Sequence, residues 1–178
     1  MHRIVPGILT LAQHLQAVAQ TPDEYRPAHC PHCRTSGLWG HGCYWRKADR
    51  REGVWPSVNP VAVLRFWCRA CLHTCSRLPE CIAPRRWYDW SVQQAVLVLL
   101  LAGCSVCGCA RCTGRSRRTV RRWGAWLDER GFVFAFFLRS RFAELGRAGD
   151  GAAFWLRVLE RMSLSRAMAW LDRELGVP

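Results

Sequence analysis

The sequence predicts an α+β fold, a small β-rich module held together by paired cysteines and followed by a mainly helical module. Three observations carry that expectation. Cys30-Pro31-His32-Cys33 and Cys68-Arg69-Ala70-Cys71 are two Cys-x-x-Cys pairs. Around them, at about 30–84, glycine, proline, cysteine and aromatic residues interleave without a helical period. After Pro84, apolar residues recur at helical spacing nearly to the end of the chain.

The elements follow in order. Residues 1–26 read as an N-terminal helix ending near Gln20, with Ile8, Leu11, Leu15 and Val18 at helical spacing, then a loop opened by Thr21-Pro22-Asp23. This stretch lacks the compact apolar run and small-residue cleavage site of an export signal, so a cytoplasmic, reducing compartment is expected. There, paired cysteines signal metal more often than disulfide. Residues 27–84 form the β module. VAVLRFWC at 61–68 is rich in β-branched and aromatic residues and reads as a strand running into the second pair. LWGHGCYWR at 38–46 is a weaker strand candidate, and ADRREGVWPSVNP at 48–60 a turn-rich loop. Residues 85–131 predict three helices, at 90–102, 106–113 and 116–130. A helical tail, 132–178, predicts two more, at 151–162 and 163–175. The most apolar stretch, AVLVLLLAGC at 95–104, is half the roughly 20 residues a bilayer span needs. It predicts a buried helix in a soluble protein.

Two thiolates separated by two residues share one tight turn, and two such turns supply the four corners of a tetrahedral Zn²⁺ site. Cys30, Cys33, Cys68 and Cys71 are therefore the expected ligands of one structural zinc in a zinc ribbon, with no open position for a substrate. The competing reading is a set of ordinary buried thiols. Cys75, His29, His32, His41 and His73 lie close enough in sequence to replace a ligand, but supporting or solvent-facing places suit them better. Cys43 and Cys81 read as small core residues.

A second set, Cys104, Cys107, Cys109 and Cys112, invites a second metal on spacing alone. The segment GCSVCGCARCTGRSRRTVRRW at 103–123 instead has the grammar of a helix-turn-helix. Ser105 caps its second helix, and Ala110 is the small residue at the helix crossing. Gly114 takes the turn, where a positive φ is needed, and Ser116 caps the third helix. Val120, Trp123 and Leu127 face inward, and Cys109 falls on a core position. The third helix then carries Arg117, Arg118, Arg121 and Arg122 in its first two turns. The pairs 117/121 and 118/122 each share a face. Arg117, Arg118 and Arg121 are the candidates for bases or nearby phosphates. Arg115, Ser116, Thr119 and Arg122 are candidates for the DNA backbone. The alternative is a solvated basic face on a core helix.

The net charge of +13 predicts a polyanionic partner, nucleic acid before an anionic membrane surface. Lys47 is the only lysine, and arginine offers a planar fork that suits phosphate and guanine. Genomic base bias is the competing source of an arginine-rich composition.

Together, the zinc pairs, Arg65-Phe66-Trp67-Cys68, Thr74-Cys75-Ser76-Arg77-Leu78-Pro79 and Thr119-Val120-Arg121-Arg122-Trp123 resemble the N-terminal region of bacterial insertion-sequence transposases. They also resemble small stand-alone mobile-element proteins of the same architecture. The resemblance covers about 28–130. It implies binding of double-stranded DNA through the third helix, without catalysis. The acidic triad of such transposases sits on a further domain, whereas this chain has only Asp150, Glu160, Asp172 and Glu174 after Glu144, among predicted short helices. No Ser/His/Asp set, phosphate loop or His-Glu-x-x-His motif is present either, so no enzyme is expected. A stand-alone transcriptional regulator and a zinc-dependent protein-interaction adaptor are the alternatives. Trp155, Leu159, Met162 and Trp170 in the tail either pack on the helix-turn-helix or form a surface for a transposase or a second copy. No membrane partner is expected.

Overall fold

A computed structural model describes residues 3–48, 57–84, 88–149 and 151–175. The chain divides into two compact units, Met1–Asp89 with Leu175–Pro178 and Trp90–Glu174. The architecture is α+β, an N-terminal antiparallel sheet bearing the four paired cysteines, followed by a mainly helical region.

The first unit opens with β1 (Ile4–Val5) and α1 (Leu11–Gln20). Thr10 starts α1 through a capping box. Its hydroxyl accepts from the Gln13 backbone N–H, and the Gln13 side chain accepts from the Thr10 N–H. The helix thus begins after Ile8, which lies ahead of it in the core. Its buried residue is His14, whereas Leu15 is exposed. The expected apolar stripe is overridden by a polar side chain that finds partners inside. A 3₁₀ turn, Pro22–Tyr25, delivers Tyr25 into the core.

β2 (Trp39–Arg46), β3 (Val61–Trp67) and β4 (Thr74–Cys75) form an antiparallel sheet in that order. β5 (Leu78–Pro79) pairs in parallel with β1. β3 buries Val61, Val63 and Phe66, the two valines on one face and Phe66 on the other. One cluster gathers Val5, Ile8, Tyr25, Leu38, Phe66, Cys30 and Cys68, so the N-terminal segment and the cysteine module share a core. The other gathers Ala48, Val61, Val63, Leu78 and Ile82. Cys43 departs from its expected core place. It lies exposed on β2, beside an irregularity of register between Gly40 and Cys43. Cys81 is half-buried, and burial pushes its thiol up to about 12. Most of the loop expected at 48–60 lies outside the described residues.

The second unit contains α2 (Trp90–Leu101), α3 (Val106–Thr113), α4 (Arg117–Arg141), α5 (Ala152–Arg161) and α6 (Leu164–Leu175). α2 buries Trp90, Gln93, Val96 and Leu97, and packs on α3, α4 and α5. α4 runs well past the expected end near Arg130, so the tail expected from 132 begins inside this helix. Gly131, just past that expected end, has a packing role. A Cβ built there would lie 3.0 Å from Trp155 Nε1, so the glycine lets the indole close over the helix. Arg139 donates to the Ala148 and Gly149 carbonyls and lies over the Phe154 ring at 4.6 Å, pinning the turn into α5. Trp155 and Leu159 are buried, Met162 and Trp170 half-buried, and Trp170 meets Phe142 edge-on. Among the described residues, no helix is long and apolar enough to cross a membrane.

Candidate metal centre and basic helix

The two Cys-x-x-Cys segments fold into equivalent turns. In the first, Arg34 N–H donates to Cys30 O at 2.9 Å and Cys30 N–H to Thr35 O at 2.8 Å. In the second, Leu72 N–H donates to Cys68 O at 2.8 Å and Cys68 N–H to His73 O at 2.9 Å. The residue after each second cysteine sits in the left-handed region, Arg34 at φ 63° and Leu72 at φ 59°. Neither is a glycine, so each turn holds a backbone conformation that costs a side-chain-bearing residue roughly 1 kcal/mol. The repeated bonds maintain it at both sites. No glycine marks these positions in the sequence, so this internal symmetry is invisible there.

These turns bring Cys30, Cys33, Cys68 and Cys71 together, with all four sulfurs within 4.8 Å of one another. Cys30 and Cys71 are 3.5 Å apart, as are Cys33 and Cys68. A disulfide needs about 2.05 Å. A tetrahedral ion with Zn–S bonds of about 2.3 Å sets its sulfurs about 3.8 Å apart. The donor set and spacing therefore fit one metal ion such as zinc, with four protein ligands around it. Cys30 and Cys68 are buried, Cys71 is half-buried and Cys33 exposed.

The acidities follow the crowding. Hydrogen bonding to the Thr35 side chain and backbone pulls Cys33 down to about 6. At Cys71 the His73 backbone N–H favours the thiolate, but burial and the neighbouring sulfurs outweigh it and hold the thiol at about 12. One sulfur ionises readily while another resists joining it, a conflict that a divalent cation removes. His32 and His73 stack at 4.3 Å between centroids, one from each turn, and His73 Nδ1 bonds the Cys71 carbonyl. Neither belongs to the sulfur cluster, and neither does Cys75, whose thiol burial pushes up to about 11.

The second cysteine set does not converge. Among the described residues, the four paired cysteines are the only close group of three or more potential ligands. Positions 107 and 109 of one helix point about 200° apart. Cys109 is buried, with its thiol pushed up to about 11 by burial, while Cys107 and Cys112 are exposed.

α3 and α4 are joined by the turn Gly114-Arg115-Ser116. Gly114 takes φ 64°, and its N–H caps α3 by donating to Ala110 O. Ser105 caps α3, accepting from Gly108 N–H, and Ser116 caps α4, accepting from Thr119 N–H at 3.2 Å. The Ser116 and Thr119 hydroxyls also meet at 3.0 Å, so both serve the cap directly. Arg115 folds back, Nε donating to Thr113 O. Val120, Trp123 and Leu127 are buried, which turns Arg117, Arg118, Arg121 and Arg122 outward, all exposed. Among the described residues no ion pair engages these four. Arg111, on α3, is exposed as well.

An apolar groove of about 1340 Å³ runs beside α4, lined by Leu97, Leu101, Phe132, Phe136 and Trp155, with Arg121 in its wall. Phe132 is 85% exposed and Phe136 66%.

No family model, no curated protein and no solved structure matches this chain.

Proposed function

We propose that this chain is a DNA-binding protein in which α3 and α4 act as a helix-turn-helix and the cysteine module is a zinc ribbon with a structural role. The observation that carries the reading is the start of α4. Four exposed arginines occupy its first two turns, with no acidic residue in the first. The N-terminus of a helix is the positive end of its dipole, where each cation costs roughly 0.3–1 kcal/mol. Arginines placed there work against the helix unless an anion arrives. A phosphate backbone supplies that anion, and the Arg117 and Arg118 N–H groups of the first turn add donors. The three-residue turn opened by a left-handed glycine has the length that sets a second helix into the major groove.

On this reading Arg117, Arg118 and Arg121 contact bases or nearby phosphates, and Arg122 and Arg115 the backbone. Ser116 and Thr119 contribute mainly by fixing the helix start. The resemblance to insertion-sequence transposases makes a mobile-element protein acting on its own element's ends the working role, cytoplasmic and nucleoid-bound, without catalysis of its own. A stand-alone regulator would use the same chemistry on other sites. The test is a titration of zinc-loaded protein into labelled duplexes, flanking DNA against scrambled, across a salt series. The reading expects tighter flanking-DNA binding that persists as salt rises. Equal affinities collapsing with salt would reduce it to phosphate attraction.

The groove with its exposed Phe132 and Phe136 favours a second reading, a protein-interaction adaptor. That reading expects Phe132→Glu to abolish partner capture and DNA affinity to be negligible throughout.

A further inference from the structure

The middle of α4 presents a face that duplex reading by its first turns does not use. Leu127, Phe134 and Leu138 are buried and hold the helix to its unit. Beside that buried line runs a second one. Arg121, Ala125, Asp128, Phe132, Ala135 and Arg139 recur at alternating steps of four and three residues and form one wall of the apolar groove. Such steps keep side chains on a single stripe of a helix, the seam along which two helices pair. Ala125, Asp128 and Phe132 are exposed, and Ala135 and Arg139 half-buried. Phe136 flanks the stripe and is exposed as well. α2 and α5 supply the rest of the groove, through Leu101 and Trp155 among others.

Size and charge along this stripe narrow the occupant to a second copy of the same helix. Laid antiparallel on its copy, α4 has a register in which the layers complement one another. Phe132 then faces the partner's Ala135, and Ala135 the partner's Phe132, so a large side chain meets a small one twice over. Asp128 faces the partner's Arg139, an opposite-charge pair that also occurs twice. Among the described residues no ion pair engages Asp128 within its own chain. Phe136 comes across from the partner's Gly131, which has no side chain to obstruct it. Sliding the copies one heptad into greater overlap sets Arg121 against the partner's Arg139 and Phe132 against the partner's Asp128. Sliding them two heptads leaves the Asp128 charge facing the partner's Ala125. Both cost charge burial or repulsion that the first register avoids. Matching of a patch to itself about one point is the condition for a twofold interface.

We propose that this chain forms a symmetric homodimer in which the two α4 helices pack antiparallel from Trp126 to Arg141, with Phe132 and Phe136 of each copy seated against the groove of the other. The overlap is about 24 Å long at 1.5 Å per residue. Arg117, Arg118, Arg121 and Arg122 lie beyond it, one set at each end. The pairing therefore leaves the basic helix starts open and stands whether or not they touch DNA.

The test is sedimentation equilibrium of full-length, zinc-loaded protein over roughly 1–100 μM. The wild type should pass from monomer to dimer across that range. Phe132→Glu, which puts a charge into the apolar layer, should raise the dimer Kd by about tenfold or more. Asp128→Arg should do the same by facing the partner's Arg139 with a like charge, whereas Asp128→Glu should retain the dimer. Arg117→Ala with Arg121→Ala should leave the dimer unchanged, which separates this pairing from the DNA reading. Helical circular dichroism checks that each variant is folded. Should a variant fail that check, p-benzoylphenylalanine in place of Phe132 gives a second readout, and the covalent dimer formed on irradiation must carry its link within 131–139 of the partner. A wild type that stays monomeric throughout, including one whose groove takes another protein or an apolar small molecule, would overturn the proposal. So would a dimer indifferent to Phe132→Glu and Asp128→Arg, or links confined to other segments.

Discussion

His14 is the residue on which the first unit turns. Its Nε2–H donates to the Ala62 carbonyl at 2.9 Å, which leaves Nδ1 to accept the Tyr25 hydroxyl proton at 2.6 Å. The ring is therefore neutral and in a single tautomer, and burial holds its pKa below the usual histidine value. The unfolded chain takes up this proton first. His14 thus contributes stability that is intact above about pH 6.5 and lost as pH falls below it toward the folded-state pKa. Urea midpoints of wild type and His14→Phe between pH 7.5 and 5.5 should converge as pH falls. The variant should start lower by about 1–3 kcal/mol, because Tyr25 and Ala62 lose their partner. Parallel curves would show that His14 does not titrate. A second expectation concerns the two metal-binding turns. Leu72→Gly relieves a left-handed side-chain-bearing residue on an exposed position, and should raise the thermal midpoint of the zinc-loaded protein by an amount equivalent to about 1 kcal/mol.

At the scale of the element, α4 joins a basic start to a packed middle. Its first turns are basic against its own dipole, so Arg117→Glu should stabilise the fold by about 0.5–1 kcal/mol while weakening duplex binding more than tenfold. A stabilised variant that binds normally would place the DNA surface elsewhere. Further along, two glycines separate propensity from packing. At Gly124 a Cβ meets only the far end of Leu100 at 3.4 Å, so Gly124→Ala should gain up to about 1 kcal/mol of helix propensity. At Gly131 it meets the buried indole of Trp155 at 3.0 Å, and Gly131→Ala should lower the thermal midpoint despite the same propensity gain. The sequence shows both glycines and cannot rank them, because the distinguishing contact comes from α5.

For the whole molecule, a metal held by the four paired cysteines would stabilise the first unit. Structural zinc contributes roughly 10–16 kcal/mol in small fingers, and Cys30 and Cys68 are themselves part of a core cluster. Chelation under reducing conditions, or Cys68→Ser, should abolish hydrogen-exchange protection across 3–48 and 57–84. Amides of α2 to α5, which pack on one another in the second unit, should stay protected. A wild type that remains folded and protected without metal would remove the structural role assigned to these cysteines.

The sequence alone determined what depends on short-range chemistry. Cys-x-x-Cys spacing marked the four sulfurs, Ser105, Gly114 and Ser116 marked both caps and the turn of α3–α4, and β-branched content marked β3. Each is a local rule that holds wherever the segment lies. The tertiary structure decided what depends on a distant neighbour. Ala62 and Tyr25 make His14 a core residue, Trp155 closes over α4 at Gly131, and helix geometry turns Cys107 away from the buried Cys109 that spacing grouped with it. The register of β2 against β3 sets Trp39 opposite Trp67 and Trp45 opposite Ala62, and so puts Trp39 and Trp45 on opposite faces of the sheet. Alternation along β2 alone would put positions 39 and 45 on one face, but an irregularity at Gly40–Cys43 resets it and only the partner strand shows by how much.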